Sequence, residues 1–253
     1  MTYFMECLGL FLSVNIVNSF FMTLYHRCLA HGSVQLSPWM RKCVIHLGVW
    51  ITGIDPKVWA CMHRMHHAHS DTKLDPHSPS NLGMWGVMRG QFVSYQWAMM
   101  GLQGKGNAYT AIVSDLDFPV SAHNLKKLWW LPHALHAMIG IIIAVASGGV
   151  WLGISYWVGM VNHPLQGWLV NAFAHKYGYR NFDTTDQSTN NTLVALLILG
   201  EGYQNNHHAF PRSAKFSVRW YELDSGYMLC RIAQWLGAVK IPTEDLQSLD
   251  RAA

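Results

Sequence analysis

The sequence predicts an all-α integral membrane protein that forms a single domain over residues 1–253, with about three transmembrane helices, further helices at the membrane interface and a cytoplasmic cap. Two observations lead to this prediction. Only 13% of the residues are charged, about half of the usual share in a soluble domain. Two long stretches are also nearly free of charge: residues 1–25 contain only Glu6, and residues 131–175 contain no Asp, Glu, Lys or Arg.

The first transmembrane helix is predicted over residues 4–25, because the run from Leu8 to Leu24 is long enough to cross a bilayer. A signal peptide is the alternative, but no basic region precedes the run and no small-residue cleavage site follows it. His26 and His31 come next. Five residues are about 140° apart on an α-helix, so the two histidines can share a site only if the helix ends between them.

Two segments in the middle of the chain are predicted not to cross the membrane: residues 41–62 form a helix at the interface or over the functional site, and residues 80–130 lie at the interface. Pro56 would break a spanning helix within the apolar stretch of residues 41–62. Residues 80–130 are amphipathic, and their tryptophans suit the depth of the lipid headgroups. These are Trp85, Trp97, Trp129 and Trp130.

The uncharged stretch of residues 131–175 is too long for one crossing and predicts a helical hairpin, with helices at 131–147 and 151–173 and a turn at Ser147-Gly148-Gly149. Basic residues flank both outer ends and are absent from the turn, so the positive-inside rule places both ends in the cytoplasm. Arg27 places the end of the first helix on the same side. The mixed segment of residues 212–253 is predicted to form the cytoplasmic cap.

The charge and the cysteine content argue against a nucleic-acid partner, a disulfide framework and a thiolate metal site. The net charge of +4 is too small and too scattered for a nucleic-acid partner, although it suits anionic lipid headgroups or an anionic substrate. The five cysteines are widely spaced and never form a C-x-x-C pair, so neither a disulfide framework nor a thiolate metal site is indicated.

The clearest functional signal is the histidine pattern. His63, His66 and His67 stand at i, i+3 and i+4, so they fall on one face of a helix and can converge on a single point. A lone histidine usually satisfies a core hydrogen bond, but three on one face have no packing role and would repel one another if charged. The same spacing recurs at Gln204, His207 and His208, and Asn171 and His175 form an i, i+4 pair.

The clusters together contain too many donors for one metal ion. The ten candidate ligands are His26, His31, His63, His66, His67, Asn171, His175, Gln204, His207 and His208. Four ligands satisfy zinc, so this number predicts two metals, and imidazole-rich sites with open positions suit iron and oxygen chemistry. A bis-histidine haem is the competing cofactor, but it needs two isolated histidines on facing helices. The roles of His69 and His77 stay open, and the remaining five histidines are predicted to be structural.

The spacing His-x4-His, His-x-x-His-His, Asn-x3-His and x-x-x-His-His resembles the integral-membrane fatty acid desaturases, and most closely the Δ9, stearoyl-CoA desaturase-like type. The resemblance extends from about Tyr25 to Gly237 and includes Asp75-Pro76-His77 and Gly200-Glu201-Gly202. It implies an oxidoreductase that uses two iron ions, dioxygen and two donated electrons to form a cis double bond in a fatty acyl chain. Asn171 would act through a bound water.

The resemblance also implies partners and substrate contacts. A separate electron donor (ferredoxin, cytochrome b5 or a reductase) would serve the site, and the substrate would be a fatty acyl-CoA or an acyl-lipid of the membrane. Trp59 and Trp168 would contact the acyl chain, and Leu10 and Val14 would lie near the end of its channel. The carboxylates Glu201, Asp71 and Asp75 are expected to orient imidazoles rather than bind metal.

Three departures from the family pattern qualify these expectations. Gln204 stands where Δ9 enzymes have histidine. Cys61 and Met62 stand where animal acyl-CoA enzymes carry an Arg-Asp pair that contacts CoA. One helix precedes His26 in place of the first hairpin.

The alternative functions are a fatty acyl or hydrocarbon hydroxylase or ketolase with the same metal site, and a non-enzymatic membrane metal-binding protein.

Overall fold

The computed structural model describes residues 1–242, which are mostly helical and contain two short strands. The N-terminal half contains α1 (Thr2–Leu24), the π-helix π1 (Tyr25–Ala30), β1 (Gln35–Leu36), α2 (Pro38–His46), α3 (Gly48–Thr52), α4 (Pro56–His69), α5 (Pro79–Gly101), α6 (Ala108–Ile112) and α7 (Ala122–Leu125). The C-terminal half contains α8 (Leu131–Ser147), α9 (Val150–Val161), α10 (His163–Trp168), the π-helix π2 (Leu169–Phe173), α11 (Thr192–Leu197), α12 (Gln204–Ala209), α13 (Ser225–Trp235) and β2 (Val239–Lys240). The helical class predicted from the sequence is confirmed.

The first helix is longer than predicted, because α1 continues without a break into π1. Together they form an apolar helix over Thr2–Ala30, in which an 18-residue window has a mean hydropathy of 1.7. Within residues 1–242 this is the one helix that is both long and apolar enough to cross a membrane. Two shorter apolar helices, α8 and α9, form the predicted hairpin about a turn in which Gly148 adopts a left-handed conformation.

The second helix of the hairpin ends earlier than predicted, at Val161, and the chain reaches Phe173 through α10 and π2. Pro164 has no backbone N–H, so it cannot bond to the carbonyl oxygen of Met160 four residues earlier. The side-chain amide of Asn18, on α1, donates to that oxygen instead. The break is therefore stabilised by the first apolar helix, which packs along α9.

Pro56 begins α4 rather than interrupting a helix. Its neighbour Asp55 caps α4 by accepting hydrogen bonds from the backbone N–H groups of Lys57 and Val58, at 3.0 and 3.1 Å. The other oxygen of Asp55 accepts from the hydroxyl of Ser121 at 2.6 Å, which anchors the segment before α7. The start of the histidine-bearing helix is thus fixed by a buried carboxylate.

The end of π1 is tied to the C-terminal part of the chain by Arg27, which is fully buried. Its guanidinium pairs with Asp224 at 2.8 Å, lies over the ring of Phe216 and approaches Glu201 at 3.4 Å. The short strands β1 and β2 pair antiparallel beside it. The predicted cap therefore packs against the end of the first helix, as far as its described residues 212–242 show; residues 243–253 of that prediction lie outside the described part.

Candidate metal centre

Eight histidines come together where π1, α4, π2 and α12 meet, and they divide into two groups. The first group, here site 1, contains His26, His31, His63, His67 and His207, and the second, site 2, contains His66, His175 and His208. In each group one nitrogen of every ring lies within 4.8 Å of the corresponding nitrogens of the others. The predicted clustering of these eight histidines is confirmed.

The α4 triplet does not converge on a single point. His63 and His67 contribute to site 1, whereas His66 contributes to site 2. On an α-helix residues i and i+4 are about 40° apart, but i+3 and i+4 are about 100° apart, so His66 points away from His67. His207 and His208, which are adjacent on α12, divide between the sites in the same way.

The helix ends between His26 and His31, as expected: π1 ends at Ala30, and His31 is its C-cap. The N–H of His31 donates to the carbonyl oxygen of His26 at 3.1 Å, a bond between residues five apart. A π-turn places residues i and i+5 nearly above each other, which an α-helix does not. The two rings are consequently 5.0 Å apart and both belong to site 1.

The nitrogens of site 1 have the spacing of ligands around one ion. The Nε2 atom of His207 lies 3.0 Å from the Nε2 atoms of both His26 and His67. Nε2 of His31 lies 2.8 Å from that of His63. Imidazole ligands at about 2.1 Å from a metal and at right angles would be about 3 Å apart, so these residues fit a bound metal.

Site 2 also fits a metal, on the evidence of unpaired nitrogens. The Nε2 atoms of His66 and His175 are buried and have no hydrogen-bond partner. Burying an imidazole nitrogen without a partner is costly, so such atoms suggest a ligand that is bound there. Each ring is held through its other nitrogen: Asp75 accepts from Nδ1 of His66 at 3.0 Å, and Asp71 accepts from Nδ1 of His175 at 2.9 Å.

Carboxylates are distributed unequally between the sites. All three imidazoles of site 2 donate from Nδ1 to an aspartate, since His208 bonds to Asp186 at 2.6 Å. In site 1 the carboxylate contact is that of His26 with Glu201, at 2.5 Å. Such partners fix the ring orientation and make the free nitrogen a better donor. Asp186 was missed by sequence reasoning, because it lies 22 positions before His208 in a loop without periodicity.

Burial favours the neutral form of several of these imidazoles. Burial, reinforced by the neighbouring imidazoles, holds the pKa values of His63, His67 and His207 well below the ordinary value. Burial alone would raise the pKa of Asp75, but the hydrogen bond from His66 lowers it to about 2. The site therefore offers neutral nitrogen donors backed by ionised carboxylates, which is the state that metal binding requires.

Of the two amides predicted as ligands, Gln204 lies beside site 2. The Oε1 atom of Gln204 is 3.1 Å from Nε2 of His208, and its Nε2 atom donates to the carbonyl oxygen of Glu201. Asn171, on π2, lines the same cavity as Gln204. His77, whose role the sequence left open, is buried. Its ring stacks on that of His66, with the ring centroids 4.7 Å apart.

A cavity of about 760 Å³, here the apolar cavity, reaches the histidines from one side. Its wall includes His26, His63, Asn171 and Gln204, with Ser19, Met22 and Thr23 contributed by α1. Trp59 also lines it and stacks on His63 at 4.9 Å.

The other three residues expected at the acyl chain, Trp168, Val14 and Leu10, are not part of this wall. Trp168 donates from its indole N–H to the carbonyl oxygen of Met84 at 2.6 Å and stacks on Trp85. Val14 packs against Gly159 of α9. The reason is the close contact of α1 with α9, which fills the space beside Val14, so that the α1 part of the wall begins at Ser19.

The geometry of two histidine groups beside an apolar cavity can be compared with known proteins. Residues 4–231 match the sequence profile of the family described as fatty acid desaturase. The chain belongs to the fatty acid desaturase family. The resemblance in the histidine spacing is therefore confirmed, and the protein is a membrane fatty acid desaturase with a histidine cluster.

Relatives of this desaturase differ in substrate. The sn-1 stearoyl-lipid 9-desaturase of Anabaena variabilis is 34% identical over 84% of this chain and 74% of its own length. The acyl-CoA 5-desaturase AL21 of Anemone leveillei is 32% identical over 87% of this chain and 67% of its own. The hex-5-enoyl-[acyl-carrier protein] acetylenase of Moorena producens is 32% identical over 86% of this chain and 71% of its own. Carrier and double-bond position vary at nearly equal identity.

Proposed function

We propose that this desaturase introduces a cis double bond, at the Δ9 position, into a saturated acyl chain at a di-iron centre. The observation that carries the proposal is the contact of one apolar cavity with both histidine groups, through His26 and His63 of site 1 and through Gln204 beside site 2. Two iron ions bound there would supply the redox chemistry with dioxygen. One dioxygen, two electrons and two protons, with two hydrogens from the acyl chain, give the alkene and two waters.

The ligands divide as the two groups do. Site 1 would hold one iron through its five imidazoles. Site 2 would hold the other through His66, His175 and His208, with Gln204 as an oxygen ligand and Asn171 acting through a bound water. Imidazole is the donor that suits iron in oxygen chemistry, and the carboxylates behind the rings fix which nitrogen faces the metal.

The residues around the cavity would position the chain. The apolar wall excludes water from the reacting carbons, and Trp59, stacked on His63, limits where the chain passes the metals. Ser19 and Met22 stand where the chain would end. Trp168 would act indirectly, by holding the neighbouring wall residue Gly167 in place, and Leu10 and Val14 by packing α1 onto α9.

The setting follows from the apolar helices and the charge pattern. We propose three crossings, formed by Thr2–Ala30 and by the α8–α9 hairpin continued through α10, with the histidines at the cytoplasmic face. A separate protein (ferredoxin, cytochrome b5 or a reductase) would deliver the electrons. An acyl-lipid or an acyl-CoA would be the substrate, and the relatives include enzymes named for each.

Lipid analysis of a desaturase-deficient host tests the proposal. Cells that express this chain should accumulate monounsaturated acyl chains that are absent from cells expressing the His66→Ala variant. Mass spectrometry of double-bond derivatives then gives the position. A gain of oxygen would indicate a hydroxylase or ketolase instead, and a double bond at another carbon would refute the Δ9 assignment. Iron bound without any change in lipids, with an electron donor supplied, would favour a non-enzymatic metal-binding protein.

A further inference from the structure

A second cavity reaches the histidines from another side. It has a volume of about 410 Å³ and is here called the polar cavity. Its wall is formed by His31, Arg64, His67, Ala68, His69, Ser70, Thr72, Thr184, Thr185, Asp186, His208 and Pro211. None of these residues lines the apolar cavity. The two cavities are therefore separate spaces that both end at the metal centre.

The histidines themselves separate the two spaces. His31, His67 and His208 line the polar cavity, and they are the members of sites 1 and 2 that are partly exposed. The other five, which include His26 and His63 on the side of the apolar cavity, are buried. Both metal sites thus contribute a residue to the wall of the polar cavity, His31 and His67 from site 1 and His208 from site 2.

The polar wall offers hydroxyl groups and charges that are already paired. Ser70, Thr72, Thr184 and Thr185 supply hydroxyls to it. Arg64 bonds to Asp115 and to the backbone oxygens of Ala30, Leu29 and Ile112. Asp186 bonds to His208 and to Ser188. Such a wall suits water and small ions, which need hydrogen-bonding partners but no fixed counter-charge.

The proposed reaction creates a need for such a route. Each turnover consumes two protons and releases two waters, and during turnover the apolar cavity is filled by the acyl chain. Water and protons would cross this channel poorly, because the acyl chain that occupies it offers them no hydrogen-bonding partners. We infer that the polar cavity is the aqueous entrance of the metal centre, through which protons, water and small anions reach both metals. This inference rests on the proposed di-iron function.

The test uses the purified, iron-loaded enzyme in detergent and azide as the small anion. Thr185→Trp places a bulky side chain in the wall of the polar cavity. Asp183→Trp adds the same side chain two positions away, at an exposed residue outside that wall. Ala68→Phe, from the other side of the cavity, is a second blocking variant. Stopped-flow absorbance follows formation of the azide complex, and a water-soluble chelator measures the rate of iron release.

We expect each blocking variant that retains two irons to slow azide binding by about tenfold or more, with Asp183→Trp unchanged. Occupying the apolar cavity with a saturated acyl substrate should leave the rate in the parent enzyme unchanged. Azide binding as fast as the parent in both blocking variants would overturn the inference. The inference would also be overturned if the blocking variants bound azide at the parent rate but had a raised KM for the electron donor. That result would indicate that the electron donor docks on this face. Failure of the parent to bind iron would instead refute the proposed function.

Discussion

At the scale of single residues, Gln204 is the feature that distinguishes site 2. Its Oε1 atom lies 3.1 Å from Nε2 of His208, among nitrogens that belong to imidazoles. An amide oxygen is a weaker donor to iron than an imidazole nitrogen. The three aspartates behind His66, His175 and His208 strengthen the remaining donors and offset part of this difference.

Replacing Gln204 by histidine should therefore preserve or raise the iron content of site 2, because an imidazole restores the stronger donor at the same place. Iron per chain, measured by plasma emission spectroscopy after dialysis against a chelator, should stay at or above that of the parent. Gln204→Ala is the matched control and should lose iron. Equal iron content and turnover in all three proteins would show that this position is not a ligand.

Asp186→Asn tests the carboxylate that the sequence did not reveal. The amide cannot accept and polarise the N–H of His208 as the carboxylate does, so we expect the affinity of site 2 for metal to fall by about 10- to 100-fold. Asp183→Asn, three positions earlier in the same loop and exposed, should behave as the parent. Competitive titration with a chelator measures the difference, and an unchanged affinity in Asp186→Asn would contradict the role.

The contrast between these residues shows what local spacing can reveal. The histidines of α4 and α12 were recognisable because they repeat at i, i+3 and i+4. The division of these histidines between sites 1 and 2 could not be recognised from spacing, because it depends on which other histidines of the fold lie on each side of the helix. Asp186 carries no spacing signal at all, because its contact with His208 is made by the fold of the loop between them.

At the scale of elements, the two π-helices do what an α-helix cannot. π1 brings His26 and His31 into one site, and π2 carries Asn171 into the wall of the apolar cavity. Single π-turns are frequent at functional sites, and here each forms the last turn of its helical segment. The uncharged stretches predicted the positions of α1 and of the hairpin but not where α1 and α9 end, because hydropathy has no signal for a π-turn or for the contact between Asn18 and Met160.

Packing of α1 leads to a prediction about chain length. Ser19 lines the apolar cavity, whereas Val14, five residues earlier, packs on Gly159. Ser19→Phe should therefore shorten the preferred acyl chain, because the ring occupies the end of the cavity. Val14→Phe should instead destabilise the contact with α9, with no shift in chain length. Product profiles from a mixture of saturated chains measure this; a shorter preference in Val14→Phe alone would reverse the assignment.

At the scale of the whole molecule, the metal centre is a set of buried imidazoles that the fold keeps neutral. Burial lowers the pKa values of His63, His67 and His207, so the folded protein holds fewer protons there than the unfolded chain once the pH falls below the ordinary value of about 6.5. By linkage, lowering the pH below that value then favours the unfolded state.

The metal-free protein should consequently lose stability as the pH falls from about 7.5 to about 5.5, a range that brackets the ordinary histidine pKa. Thermal unfolding in detergent measures this as a falling Tm. The iron-loaded protein should unfold at a higher temperature than the metal-free protein at each pH, because bound metal stabilises the native state. A Tm of the metal-free protein that does not change with pH would contradict the proposed neutrality of the cluster.

The histidines that form the two sites begin at position 26 and end at position 208. During synthesis, therefore, neither metal site can be complete until most of the chain has left the ribosome. The ion pair between Arg27 and Asp224 can form only after that. A partial chain presents separate imidazoles, each a weak and exposed ligand. Under the proposed di-iron function, redox-active iron would thus be bound tightly only after the chain has folded around both sites.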